Sequence, residues 1–308
     1  METQVLEVNS LMKKFKKFVL VVMALLVVFA LSSCDLIQDA EITPVIPDGV
    51  AAEDIRFGVL YSSDVEREGT EAFIHNEAIN SIRDKYPIAD PINKNKLPVD
   101  NAEKVKDAII SCVKESGCNV IISTDPAFTE IVYGFATGTI EGVENIESYK
   151  QIAFVCLDDT KKYESTENFV CFYPDYNQAY CLAGIAAATN SESANIKFNS
   201  DNEANRKAFE LGVKAVNPNA KIISGAEIDT YGTIDTNWNI YYMTLAENIT
   251  LGKFSEMGNY FKGTETGLCA FTPAEDYANK DVYSKMADAK VLISDGTWDL
   301  TNAETIKF

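Results

Sequence analysis

Hydrophobic and polar positions alternate between two periods along most of the chain. Residues 55–61 (IRFGVLY), 118–123 (CNVIIS) and 151–157 (QIAFVCL) are short, nearly continuous apolar runs, the pattern of strands buried on both faces. Between them lie helical patterns. One spans residues 70–86 and stops before Pro87. Another spans 102–116, with Val105, Ile109, Cys112 and Val113 on one side and Gly117 at the position that ends a helix. Pro126 opens a further helix at its first turn. This β-α-β-α order predicts a parallel sheet with helices on both faces.

The alternation continues at 168–173 (NFVCFY, strand), 176–190 (a helix rich in small residues) and 195–198 (a weak strand). A helix over 203–216, a strand over 221–226 and a helix over 237–251 stopped by Gly252 follow. Two short β segments, 258–261 and 267–271, precede a last helix near 281–294. Two such αβ blocks predict two lobes, the first over 54–167 joined by 236–252, and the second over 168–235 joined by 253–308.

The N-terminus departs from this pattern. Lys13, Lys14, Lys16 and Lys17 precede fourteen apolar residues, 18–31, and then Leu31-Ser32-Ser33-Cys34. A helix of that length rises about 21 Å, short of the roughly 30 Å hydrocarbon core of a bilayer. A basic segment, a short apolar run and small residues form the pattern of a secretory signal peptide, expected over 1–33 with Met12 a candidate start. Ser32-Ser33-Cys34 resembles a bacterial lipobox, which makes Cys34 the expected lipid attachment site. An uncleaved anchor or a buried helix is the alternative. Residues 34–53 carry two prolines and no periodicity, and are expected to form a flexible tether.

The formal net charge is −19, and it is more acidic still without the lysine-rich leader. That excludes a basic nucleic-acid surface, which needs clustered Lys and Arg. No Walker A or G-x-G-x-x-G motif, no zinc-type cysteine spacing and no G-x-S-x-G elbow occur, so no cofactor, metal or hydrolytic activity is expected. Six cysteines remain once Cys34 is set aside, and buried free thiols fit them better than a disulfide framework.

Ligands of open α/β sheets bind beyond the carboxyl ends of the strands. That rule selects Ser62, Ser63 and Asp64 after the first strand, Asp125 and its neighbours after the third, and the LDDT segment 157–160. The same side chains suit turns and helix caps, and Asp125 before Pro126 has the chemistry of an N-cap. Phe73 and the single histidine, His75, lie on the helix behind the first loop. Trp238, Tyr241 and Tyr242 cluster at one helix start, where aromatic residues serve a core as readily as a stacking platform.

Several blocks together resemble the basic membrane protein family of ABC-transporter substrate-binding lipoproteins, which includes the purine nucleoside receptors. They are IRFGVLYSSD with AFIHNEAI, SGCNVIIST, NFVCFYPDYNQAYCLAGIAAA, FELGVKAVNPNAKI, NWNIYYMTLAENITLGKF and AKVLISDGTWDL, in order from residue 55 to about residue 301. The resemblance implies a periplasmic-binding-protein type I fold, two Rossmann-like lobes closing on a ligand. It implies a nucleoside-like ligand, an ABC permease as partner, and a lipid anchor on the extracytoplasmic side of a bacterial cell membrane. By position it implies ligand contacts from Ser63, Asp64, Phe73, His75, Thr124, Asp125, Phe128, Tyr176 and Trp238. One departure stands out. Between Asp235 and Asn237, where the family has further helices and strands ending in an acidic ligand loop, only Thr236 intervenes. The segment near ANIKFNSDNEANRK is also short. The second lobe is therefore expected to be incomplete, and a surface lipoprotein (adhesin or antigen) that keeps the scaffold without transporting a solute is the alternative function.

Overall fold

The computed structural model describes residues 40–191 and 193–300. The leader and Cys34 lie outside the described residues. Its centre is a six-stranded sheet of β1 (Phe57–Leu60), β2 (Ile92–Lys94), β3 (Val120–Ser123), β4 (Ala153–Leu157), β5 (Phe169–Pro174) and β9 (Tyr260–Lys262). The strand order is β2-β1-β3-β4-β5-β9, and every neighbouring pair is parallel. All residues of β1, β3 and β4 are buried, which is why these strands read as unbroken apolar runs.

Helices α1 (Glu71–Ser81), α2 (Ala102–Ile110) and α3 (Thr129–Thr137) connect the first four strands. Their ends follow local chemistry. The Thr70 hydroxyl accepts from Phe73 N at 3.2 Å, the Asn101 amide oxygen from Lys104 N at 3.1 Å, and the Asp125 carboxylate from Ala127 N at 2.9 Å. Helix α2 runs on as a π-helical turn over Ser111–Glu115 and is ended by Gly117 at φ +65°. On one sheet face, α2 and α3 bury Cys112, Phe128, Val132 and Phe135. On the other, α1 packs with a late helix, α6 (Trp238–Thr250), around Ile79, Phe172, Tyr241 and Tyr242.

The second lobe contains α4 (Tyr176–Thr189), β6 (Asn195–Lys197), α5 (Glu203–Val216), β7 (Lys221–Ile223), β8 (Gly232–Thr236), β10 (Cys269–Pro273) and α8 (Lys280–Ser294). Helices α4 and α5 approach backbone to backbone. A Cβ at Gly184 would lie 2.1 Å from Phe209 O, and one at Gly212 would lie 1.9 Å from Cys181 O. The small residues of α4 are there for this approach. Strands β6 and β7 form a parallel pair, and β8 and β10 an antiparallel pair separate from it. The lobe is thus partial, with no continuous sheet of its own among the described residues.

Two expectations about organisation are corrected. Residues 168–173 are not the start of the second lobe: β5 lies between β4 and β9 in the first sheet, and the chain leaves for the second lobe only after Pro174. It returns with α6, a short helix α7 (Phe254–Met257) and β9 before β10 takes it back. Nor do residues 40–53 hang free as a tether. Val45 and Ile46 are buried in the core beneath the first sheet, and Asn119 Nδ2 donates to Thr43 O at 2.9 Å. Two apolar side chains suffice to pin the segment, and so short a pair carries no periodicity. Among the described residues no helix is long and apolar enough to cross a membrane.

Candidate functional site

The parallel strands share one carboxyl edge, and the chain just beyond it forms the floor of a cleft facing the second lobe. The cleft has a volume of about 390 Å³. Ser62 and Ser63 enter from the loop after β1, Thr124, Asp125 and Pro126 from the loop after β3, and Leu157 from the end of β4. Glu71 and Ala72 come from the first turn of α1. Tyr173, Tyr176 and Trp238 stand where the chain crosses between lobes. A second compartment of about 310 Å³ adjoins it and shares Tyr173 and Tyr176. Asp159, Lys161, Asp175, Asn202 and Asn205 contribute its polar groups.

Trp238 is held by its neighbours. Its ring lies 4.3 Å from the His75 ring at a 37° tilt and meets Phe172 edge-on at 5.8 Å. Trp238 as a whole is 5% exposed, and it lines the cleft. His75 is fully buried, and its Nδ1 shares a 2.7 Å hydrogen bond with the Tyr242 hydroxyl. Its Nε2 has no hydrogen-bond partner and lies 4.0 Å from a carboxylate oxygen of Glu71. Burial pushes the imidazole down to about 3, so it is neutral at physiological pH. Tyr176 is tied to β8 by a 2.9 Å hydrogen bond between its hydroxyl and Thr236 Oγ1.

Some polar groups at the cleft are already engaged. Thr124 Oγ1 donates to Leu60 O at 3.1 Å, and one Asp125 carboxylate oxygen caps the turn that opens α3. Asp175 caps α4 through Asn177 N at 3.2 Å, and burial holds its carboxyl above the usual carboxylate range. Among the described residues no three His, Cys, Asp or Glu side chains form a group able to hold a metal.

The structure brings together five of the nine side chains singled out from sequence: Ser63, Thr124, Asp125, Tyr176 and Trp238. The other four do not line the cleft. Asp64 turns to Lys96, whose ammonium lies 2.7 Å away and holds the carboxyl below its usual range. Phe73 is half-buried on α1, and Phe128 is fully buried among the α2 and α3 side chains. His75 lies one helical turn beyond Glu71, covered by Trp238. Glu71, Tyr173 and Asn202 were not singled out. Asp159 falls in the loop that the strand-end rule had marked, whereas Asn202 reads in sequence only as a helix cap.

A cleft at the carboxyl edge of a parallel sheet faces a second α/β lobe, and the chain crosses near Pro174, near Asn237 and again after Lys262. That arrangement defines the periplasmic-binding-protein class of type I. Within it, the chain belongs to the Bmp family, the PnrA-like ABC transporter substrate-binding proteins, whose family profile matches residues 64–237, more than half of its length.

Two solved structures are similar in fold. A transcriptional activator of the comK gene from Bacillus halodurans aligns at a TM-score of 0.60 and 15% identity, over 79% of this chain and 99% of that one. A solute-binding protein of an ABC transporter system from Aeropyrum pernix K1 aligns at 0.54 and 9%, over 79% and 92%. No curated protein sequence matches the chain. Family membership supports a solute-binding role for the cleft.

Proposed function

We propose that the protein is a lipid-anchored receptor on the extracytoplasmic side of the bacterial cell membrane, which binds a nucleoside-like solute and passes it to an ABC permease. The carrying observation is Trp238, an indole braced by His75 and Phe172 at the wall of a cleft whose opposite loops present Ser62, Ser63 and Asp125. A planar base stacked on the indole would gain roughly 1–3 kcal/mol, by analogy with nucleic-acid platforms. Hydroxyl groups of the same ligand would meet the serines and the Glu71 and Asp125 carboxylates. At about 390 Å³ the cleft falls among small-molecule pockets, which run from roughly 300 to 1,000 Å³. Tyr173 and Tyr176 line both compartments, so lobe closure would bring both onto one ligand.

The reading is tested by thermal denaturation of the mature chain with purine and pyrimidine nucleosides, and with sugars as controls. A nucleoside at 100 times its Kd adds about 2.7 kcal/mol of stability, and Trp238→Ala removes that increment. A folded chain that no nucleoside stabilises would defeat the reading. The partial second lobe, with its two separate strand pairs, would then favour a surface lipoprotein without solute transport.

The lipobox-like LSSC at residues 31–34 supports the anchor. Cys34→Ala is expected to release the protein from membranes, and undiminished membrane association would count against lipidation at that residue.

A further inference from the structure

A buried imidazole with one nitrogen unused lies directly behind the cleft wall. His75 Nδ1 shares its 2.7 Å hydrogen bond with the Tyr242 hydroxyl, and Nε2 has no partner. Trp238, Phe172 and Tyr242 wall the ring in, with ring centroids 4.3, 6.3 and 5.9 Å away. Among the described residues, the one carboxylate within 4.0 Å of Nε2 is that of Glu71. A polar atom buried without a partner weakens a fold and calls for an explanation.

The neighbours select which nitrogen carries the hydrogen. Burial keeps the imidazole neutral, so it bears a single N–H. With that hydrogen on Nδ1, the Tyr242 oxygen would accept, its own hydrogen would lose its one partner, and the Nε2 lone pair would face a carboxylate. With it on Nε2, Tyr242 donates to Nδ1 and an N–H faces the carboxylate. Burial also keeps Tyr242 protonated and able to donate. Only the second arrangement sets opposite partial charges together at both ends of the ring.

Glu71 is placed to use that hydrogen. It lies in the first turn of α1, four residues before His75, and lines the cleft. Its side chain is 73% exposed and free to turn. At 4.0 Å the carboxylate is about 1 Å beyond hydrogen-bond reach of Nε2, a gap that its rotation closes without moving α1. Its charge also acts across the cleft. Burial first, and then the Asp159 and Glu71 charges, raise the Tyr173 hydroxyl. Tyr176 is pushed up to about 12, again mainly by burial, with Glu71 contributing.

We infer that His75 is a positioning residue for Glu71: its ring carries the hydrogen on Nε2 and presents it to the Glu71 carboxylate, fixing that carboxylate on the cleft wall to accept from hydroxyl groups of the bound solute. The purpose, though not the geometry, rests on the reading of the cleft as a solute site. A carboxylate that a ligand shuts off from water needs a donor in its place, and the buried N–H supplies one already oriented. Tyr242, His75 and Glu71 thus form a chain of polar groups from the core of the first lobe to the ligand.

The single histidine makes the test direct. The protein is produced without a histidine tag and labelled with heavy nitrogen in histidine, and proton–nitrogen correlation spectra near neutral pH show which ring nitrogen is protonated. Nε2 should carry the hydrogen, and Glu71→Ala and Glu71→Gln should each move the Nε2 resonance while leaving Nδ1 in place. A hydrogen on Nδ1, or an Nε2 resonance indifferent to both substitutions, would overturn the inference. Adenosine titration then reads the purpose. Glu71→Ala should weaken binding about tenfold or more, as loss of a hydrogen bond to a charged group does. His75→Phe, which keeps a ring against Trp238, should weaken it several-fold in the parent and not at all beside Glu71→Ala. An equal loss in both backgrounds would mean that the ring acts through Trp238 alone, and would overturn the positioning role. If adenosine does not bind, the reading of the cleft fails, whereas the imidazole spectra still decide whether His75 holds Glu71.

Discussion

His75 and Trp238 form one unit: two rings 4.3 Å apart, the imidazole buried and neutral, the indole between it and the cleft. A histidine read from sequence as a ligand contact is thereby a support for a side chain that lines the cleft. Its remaining polar link is the Tyr242 hydroxyl on the same helix that carries Trp238.

The buried imidazole makes stability depend on pH. Its folded-state value, about 3, is below the 6.5 of an unfolded histidine. The unfolded chain therefore takes up a proton first as pH falls. The contribution is intact above about pH 6.5 and is lost progressively as pH falls toward about 3, at roughly 1.4 kcal/mol per pH unit. Urea denaturation at pH 7 and pH 4.5 should show His75→Gln losing less stability over this interval than the parent, by about 2–3 kcal/mol. Equal losses would mean that the ring is solvated.

Tyr242→Phe leaves both nitrogens of a fully buried imidazole without a partner, and should cost about 1–3 kcal/mol. The double variant His75→Phe with Tyr242→Phe removes both polar groups and should recover part of that loss. Chemical denaturation of the three proteins measures the coupling.

At the α4–α5 crossing, Gly212→Ala puts a methyl group where Cys181 O now lies. Neither backbone can yield without separating the helices, so a loss of about 1–3 kcal/mol or more is expected. Gly69→Ala, where a Cβ meets nothing within 4 Å, compares a glycine that is free of packing, although its φ of +78° carries its own strain. The denaturation midpoint of Gly212→Ala should be the lower of the two.

All six cysteines of the described residues are buried and free. Burial also pushes the Cys171 and Cys269 thiols up to about 12. A thiol reagent at pH 8 should leave these six unmodified in the native protein and modify them all in denaturant. Rapid labelling of any of them under native conditions would show local opening.

Helix ends were legible because they depend on neighbours in sequence. Asp125 caps, Pro126 opens and Gly117 closes where the local chemistry places them. The cleft-lining residues were legible to the same extent. Ser63, Thr124 and Asp125 follow from the strand-end rule, since a parallel sheet puts those loops on one edge. Phe128 and His75 did not follow, because whether a helix position faces a cleft or a core depends on what covers it. For His75 the cover is Trp238, from a helix far along the chain.

By itself the sequence determined the class of fold, the strands buried on both faces and the helices that join them, since period and capping act over a few residues. It also held the spacing that makes glycine necessary where α4 meets α5, though not the contact that uses it. Only the tertiary structure decided that β5 and β9 complete the first sheet, that β8 and β10 pair antiparallel, and that residues 40–53 are pinned to the core of the first lobe. Strand partners and the burial of an isolated pair such as Val45 and Ile46 are set by groups distant in sequence, and a local pattern carries no record of them.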